Sequence, residues 1–130
     1  MDVQCIGIVK GSFKDPTDPE KMRKANSMIV VNEEFEDGLY KIEENKYLQV
    51  VFYFDKSDGY ELIAERRKGG LRGVFASRAP GRPSPIGVTA VELIDRKGRE
   101  LMVKGLDALD DTPVIDIKPY VPVFDDFCKT

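Results

Sequence analysis

The sequence predicts a mainly β fold, a small antiparallel β-barrel with one or two short helices. Three observations lead there. The chain has 130 residues, which suits one domain spanning 1–130. Its ordered segments are short runs rich in Val, Ile, Tyr and Phe, residues that suit a pleated surface. Turn signals separate those runs, and closing many short strands into a ring removes exposed edges. A sandwich is the alternative arrangement of the same strands.

Taken in order, the strand candidates are 3–9 (VQCIGIV), 27–31 (SMIVV), 47–54 (YLQVVFYF) and 60–64 (YELIA). Residues 71–77, read as a buried strand, then 86–94 (IGVTAVELI), 99–106 (RELMVKGL) and 113–117 follow. Asp95, Arg96, Lys97 and Gly98 read as a hairpin turn, with the glycine supplying positive φ, and Asp58-Gly59 separates another pair. One helix is expected over 33–45, where Phe35, Leu39 and Ile42 share a face. Gly38 inside it costs about 1 kcal/mol relative to alanine, so the helix should be short. Residues 14–26 (KDPTDPEKMRKAN) form a polar loop broken by Pro16 and Pro19, long enough for a lid or binding loop.

Composition removes several chemistries. There is no histidine, so His-based triads, His general bases and His metal sites are excluded. Cys5 and Cys128 lie at opposite ends without metal spacing, and no metal is expected. They read as two reduced thiols. No apolar run approaches the ~20 residues that cross a bilayer, and the N-terminus lacks the order of an export signal. A cytoplasmic protein with no membrane partner is expected. Dinucleotide-binding GxGxxG, Walker A, GxSxG and HExxH patterns are also missing.

The net charge of −3 conceals an uneven distribution. Six of the 20 basic residues and none of the 23 acidic ones fall between 66 and 87 (RRKGGLRGVFASRAPGRPSPIG). The rest of the chain therefore carries 14 against 23, or −9. Most charge runs are solvated faces. Here the cations alternate with glycine and proline rather than glutamate, beside apolar Leu71, Val74, Phe75 and Ala76. Cations held beside a rigid strand end suit a phosphate-like anion.

Two loops stand out. In the stretch from Arg78 to Pro85, prolines 80, 83 and 85 fix φ and reduce the ordering cost of binding. A stiff crossover would explain the prolines but not Arg78 and Arg82. The acidic loop from Asp107 to Thr112 either binds a hydroxyl-rich or cationic ligand or makes ordinary Asx turns. The residues alone leave both uses open. Asp116, inside a strand-like run, needs a partner, with Lys118 or a loop amide available, and reads as a fastener between the two loops.

GVFASRAPGRPSPIGVTAVEL (73–93) followed by GLDALDDTPVIDIKPYVP (105–122) resembles the paired signature of the TrmO family, also called YaeB-like or TsaA-like. That signature runs roughly GVFATRSPxRPNPIGLS, then GLDLLDGTPVLDIKPYxP. Weaker similarity reaches upstream through IGIVKGSFK, GLYKIEE and YLQVVFYFDKSDGYEL, so it covers essentially the whole chain.

The resemblance implies a barrel that binds S-adenosyl-L-methionine (SAM) and works as a homodimer. Its implied activity is methylation of N6 on the threonylcarbamoylated adenosine beside the tRNA anticodon. Carried over, it assigns Arg78, Val88, Asp107, Ala108, Leu109 and Asp110 to the SAM site. The family's strand-end Phe-His pair maps onto Phe54 and Asp55. Arg72 and Arg82 are the expected phosphate contacts, and Tyr120 and Asp55 candidates for orienting the acceptor. Tyr53 and Phe54 are stacking candidates, with Phe75 read as core. No catalytic residue is assigned.

Four departures accompany the match. The family's histidine is Asp55, its Pro-Arg-Gln falls on Glu20-Lys21-Met22, its asparagine in RPNPIG is Ser84, and its LDG glycine is Asp111. Aspartate tolerates the left-handed region better than most residues. The match lacks the C-terminal extension of many bacterial members, leaving RNA capture to the barrel, the basic segment and a partner subunit. The departures keep a second reading alive, a SAM- or nucleotide-binding barrel that has lost the transferase step. A third makes the basic segment a docking surface only.

Overall fold

The structure is a computed structural model that describes residues 1–67 and 69–129. Lys68, one of the six cations of the basic segment, lies outside them.

Among the described residues eight strands form: β1 (Gly7–Lys10), β2 (Asn26–Val31), β3 (Tyr47–Tyr53), β4 (Ile63–Arg66), β5 (Gly70–Gly73), β6 (Ile86–Lys97), β7 (Glu100–Lys104) and β8 (Pro113–Pro119). Six of them close a barrel in the order β1-β2-β7-β6-β3-β8, every neighbouring pair antiparallel. The expected barrel is therefore present, and the sandwich is not. Alternation drives it. In β3, Leu48, Val50 and Phe52 point inward while Tyr47, Gln49, Val51 and Tyr53 face out. The interior is filled by such residues from all six strands, including Val9, Ile29, Val31, Val91, Leu101, Val103 and Val114. At β1, glycine is required: a Cβ on Gly7 would lie 2.5 Å from the Val30 carbonyl.

β6 and β7 form the expected hairpin, but β6 runs on through Lys97, so Asp95, Arg96 and Lys97 are paired strand residues and the turn is Gly98, at φ 58°, and Arg99. The expected helix over 33–45 is instead two 3-10 segments, Glu33–Leu39 and Ile42–Glu44, interrupted by left-handed Lys41. Leu39 is still buried, with Phe35 and Ile42 packed against the core, so the apolar face is the expected one and the helix type is not. Arg96, near the β6–β7 turn, donates to the Leu39 carbonyl and ties this segment to that end of the barrel.

Three strand readings are corrected. β1 begins at Gly7, because Val3 is exposed and residues 1–5 have no core to face. The strand read at 60–64 begins at Ile63. The buried strand read at 71–77 is not buried: Leu71 is 68% exposed and Phe75 79%, and only Val74 is inside. β5 pairs with β4 alone, in a two-stranded ribbon outside the ring, then gives way to a 3-10 turn, Val74–Ala76. Lacking a third layer, a ribbon has nothing against which to bury its apolar side chains.

Among the described residues two single-turn α-helices form, α1 (Pro19–Met22) and α2 (Pro122–Asp125), with a 3-10 segment, Phe127–Lys129, after the second. Within the polar loop, α1 is capped by the Asp18 carboxylate, which accepts from the Glu20 amide, and anchored by buried Met22. No described helix is long and apolar enough to cross a membrane. Cys5 and Cys128 are exposed free thiols.

Candidate functional site

The site lies at the barrel end opposite the β6–β7 turn, where β3 ends and β6 begins. There the Phe54 amide donates to the Pro85 carbonyl at 2.7 Å, joining the end of β3 to the proline-rich loop. The Phe52 and Phe54 rings meet edge to face, 5.2 Å between centroids. Gly87 lies against both: a Cβ there would come within 2.7 Å of Phe52 and 2.8 Å of Phe54. The Pro85-Ile86-Gly87 run thus has a steric reason, since only glycine lets β6 pass the two rings.

From the opposite side comes the acidic loop. Asp111 takes φ 69°, where the matching motif has glycine, and its amide donates to the Val9 carbonyl. Its carboxylate accepts from Lys10 Nζ at 2.5 Å, which holds Asp111 below the usual carboxylate range and raises Lys10. The Asp110 carboxylate accepts from the Gly11 amide at 3.1 Å, while the Asp110 amide donates to the Phe13 carbonyl. Together these bonds lash the loop to the β1 end and fix the residues before it.

Between the two walls is a pocket of about 320 Å³. Phe54, Asp55, Lys56 and Ser57 form one side and Asp107, Ala108, Leu109 and Thr112 the other. Pro16, Thr17, Pro19 and Met22 from the 14–26 loop close over it, with Pro80 from the basic loop. An adjoining cleft of about 140 Å³ is lined by Arg78, Arg82, Val88 and Thr89 and shares Phe54 and Asp107 with the pocket. Asp107 therefore stands where the two meet. Buried Thr89 donates its hydroxyl to Asp107 Oδ1 at 2.5 Å, fixing the carboxylate.

Of the expected residues, Phe54, Asp55, Asp107, Ala108 and Leu109 converge on the pocket, and Arg78 and Val88 on the cleft. Arg78 donates through Nη2 to the Val88 carbonyl, so these two are also bonded to each other. Arg82 lines the cleft but donates to the Ser77 and Ala79 carbonyls at 3.0 and 3.2 Å, pinning its own loop. Rigidity therefore accounts for at least one of the two arginines that stiffness had left unexplained.

Five expected positions fall elsewhere. The Asp110 carboxylate is engaged by Gly11 and does not line the pocket. Arg72 is on β5 of the outer ribbon, donating to the Gly69 carbonyl. Tyr120 lines a different groove, with Tyr47 and Arg23. Asp116 pairs with Lys118 at 2.5 Å on the same strand, so it fastens no loops together. Phe75 is exposed rather than core.

Sequence reading missed Lys56, Thr89 and Thr112. Two are threonines whose signal is burial, which no local pattern reveals. Lys56 follows Asp55 directly, and its position was the available signal. Among the described residues, no group of His, Cys, Asp and Glu is placed to hold a metal ion.

The pocket's chemistry is mixed: a largely apolar lining of Phe54, Met22, Ala108 and Leu109, with two carboxylates, of which Asp107 is held by Thr89, and one ammonium. Such a site takes a small ligand with one flat or apolar part and several polar groups.

Comparison with known proteins adds a family. Residues 8–126 match the model of the tRNA-methyltransferase O N-terminal domain. A Pyrococcus abyssi protein named a probable S-adenosyl-L-methionine-binding protein is 42% identical over 125 residues, covering 92% of this chain and 68% of its own. A Mus musculus tRNA (adenine(37)-N6)-methyltransferase is 36% identical over 125 residues, 93% of this chain but 25% of that enzyme. The crystal structure of TrmO from Pseudomonas aeruginosa superposes with a TM-score of 0.78 at 31% identity, covering 96% of this chain and 58% of that one. The chain thus spans a little over half of the solved TrmO chain and a quarter of the mouse enzyme.

Proposed function

Since the chain belongs to the tRNA-methyltransferase O N-terminal domain family, we propose that it binds SAM in the pocket between Phe54 and Leu109 and methylates tRNA. The acceptor is N6 of the adenosine beside the anticodon, in its threonylcarbamoylated form. The observation that carries this reading is Asp107, a carboxylate held by Thr89 where pocket and cleft meet.

The residues present fit such a group. Carboxylates at Asp107 and Asp55 suit ribose hydroxyls, an α-amine and a sulfonium, and Lys56 suits the methionine carboxylate. Met22, Phe54 and Leu109 offer apolar surface to an adenine. When bound, SAM supplies an electrophilic methyl on a positively charged sulfur. The protein's share is positional: Asp107 cannot swing while Thr89 holds it, and the stapled loop of Arg78 and Arg82 presents a fixed edge. Holding reactants aligned is sufficient source of rate for a displacement that needs no nucleophile from the protein. Asp55, exposed at the pocket rim, orients the acceptor, and Arg78 and Arg72 meet its phosphates.

A homodimer in the cytoplasm completes the reading. Leu62, Ile63, Leu71 and Phe75 are exposed together on and beside the ribbon, an apolar surface that a second copy covers.

Mass spectrometry of tRNA nucleosides with and without the protein tests the proposal. Appearance of an N6-methylated adenosine supports it, and unchanged nucleosides with intact SAM binding favour the non-catalytic barrel. Two observations keep that second reading: Asp55 where the family has histidine, and Lys21 and Glu20 absent from the pocket lining while neighbouring Met22 belongs to it.

A further inference from the structure

The barrel carries a second, unassigned groove of about 490 Å³ on its outer wall, lined by Arg23, Tyr47, Ala90, Glu92, Lys104 and Tyr120 among others. Its floor is set by strand register. Asn26 pairs with Lys104, Lys104 with Glu92 and Glu92 with Tyr47, one row across β2, β7, β6 and β3. The Tyr120 amide donates to the Tyr47 carbonyl at 3.0 Å, which brings the second tyrosine beside the first.

The donor set is specific. Arg23 and Lys104 have no acidic partner among the described residues. Lys46 Nζ sits 5.4 Å from the Tyr47 ring centroid, so that ring already attracts a cation. Glu92 adds a carboxylate acceptor. Cations alone would suit any polyanion. Two aromatic rings with cations and a carboxylate suit a nucleotide: a base can stack, its exocyclic amine can donate to the carboxylate, and its phosphate can meet a cation.

The groove also adjoins the pocket. Met22 lines the pocket and Arg23 the groove, as do Asp107 and Gly105 respectively. Along β6 the outer face runs from Val88 in the cleft to Ala90 and Glu92 in the groove. At a rise of about 3.3 Å per residue, Glu92 lies roughly 13 Å from Val88. A single-stranded segment following β6 would reach both.

We propose that this groove is a subsite for an unpaired nucleotide flanking the acceptor, its base stacked on Tyr120 or Tyr47 and its phosphate held by Arg23 and Lys104. This rests on the tRNA reading above and names the part of the RNA that the outer wall recognises.

The probe is an anticodon stem-loop RNA, used intact and with each loop position next to the acceptor made abasic in turn. Affinity is measured by filter binding, with SAM affinity followed separately by calorimetry. Tyr120→Ala should weaken RNA binding about 5- to 100-fold, while Tyr120→Phe retains it and SAM affinity stays unchanged. One abasic position should weaken binding to the parent and cause no further loss with Tyr120→Ala. Lys104→Glu, at an exposed position, should weaken binding and lower the salt slope by at least about one. Unchanged RNA affinity in both Tyr120→Ala and Lys104→Glu would overturn the groove and leave the tRNA reading intact. If the parent protein itself binds no RNA, the tRNA reading falls and the groove with it.

Discussion

The barrel and the ribbon beside it use similar residues to opposite ends. β3 buries Leu48, Val50 and Phe52 inside a six-stranded ring, whereas β4 and β5 leave Ile63 and Leu71 facing solvent. What separates them is closure. In the ring every strand has two neighbours and one face turned to a common interior, so alternation translates into burial. The two-stranded ribbon has no such interior, and its apolar residues are available to another surface. Stability is thus concentrated in the barrel, and the exposed apolar side chains of the ribbon are free for binding.

The sharpest way to break this contrast is in the core. Phe52→Ala should destabilise the protein by about 3–5 kcal/mol in denaturant unfolding, because the ring is 1% exposed and supports Phe54. A loss below about 1 kcal/mol would mean that the barrel interior is not where the stability resides.

Next in size is the link between core and pocket. Thr89→Val keeps the shape but removes the donor to Asp107, and should cost roughly 1.5–3 kcal/mol, the range for a hydrogen bond to a charged group. SAM affinity should fall in parallel by calorimetry, and Thr89→Ser should restore both. Equal loss in the serine variant would assign the effect to packing instead.

On the ribbon, Leu71→Ser and Phe75→Ser should each change monomer stability by no more than about 0.5 kcal/mol. Sedimentation should at the same time report reduced self-association. Losses of core size would place these side chains in a packed interior and erase the contrast.

The smallest effect concerns the exposed Lys10–Asp111 pair. Asp111 is lowered below its ordinary 3.8, so its contribution is present above that pH and is lost as pH falls through the lower folded value. Lys10 is raised above 10.5, so its contribution is present below 10.5 and is lost as pH rises through the higher folded value. Stability should therefore dip at both extremes, and Asp111→Asn should flatten both shoulders. Added salt should shrink the effect, since both groups are open to solvent.

Much of this was legible in the chain. Strands such as β2, β3 and β6 carry enough alternation to be located, and the Gly98 turn announces its hairpin. The apolar face of 33–45 was also visible, although three and four residue spacings are nearly alike over so short a span and left the helix type open. Residues 71–77 misled because Leu-Arg-Gly-Val-Phe-Ala has strand composition, and composition cannot say whether another layer exists to cover it. In the site, Asp107 and Asp110 look equivalent in sequence. Their difference arises from Thr89 on one side and the Gly11 amide on the other, groups distant along the chain.

By itself the sequence determined a mainly β fold of short strands, the concentration of cations between 66 and 87 and the exclusion of histidine chemistry, because pattern, charge and composition are properties of the chain. Only the tertiary structure decided that Arg82 staples its own loop, that Tyr120 belongs to a groove with Tyr47, and that the ribbon stands outside the ring. Each of these depends on strand register and ring closure, which bring together residues that no local pattern connects.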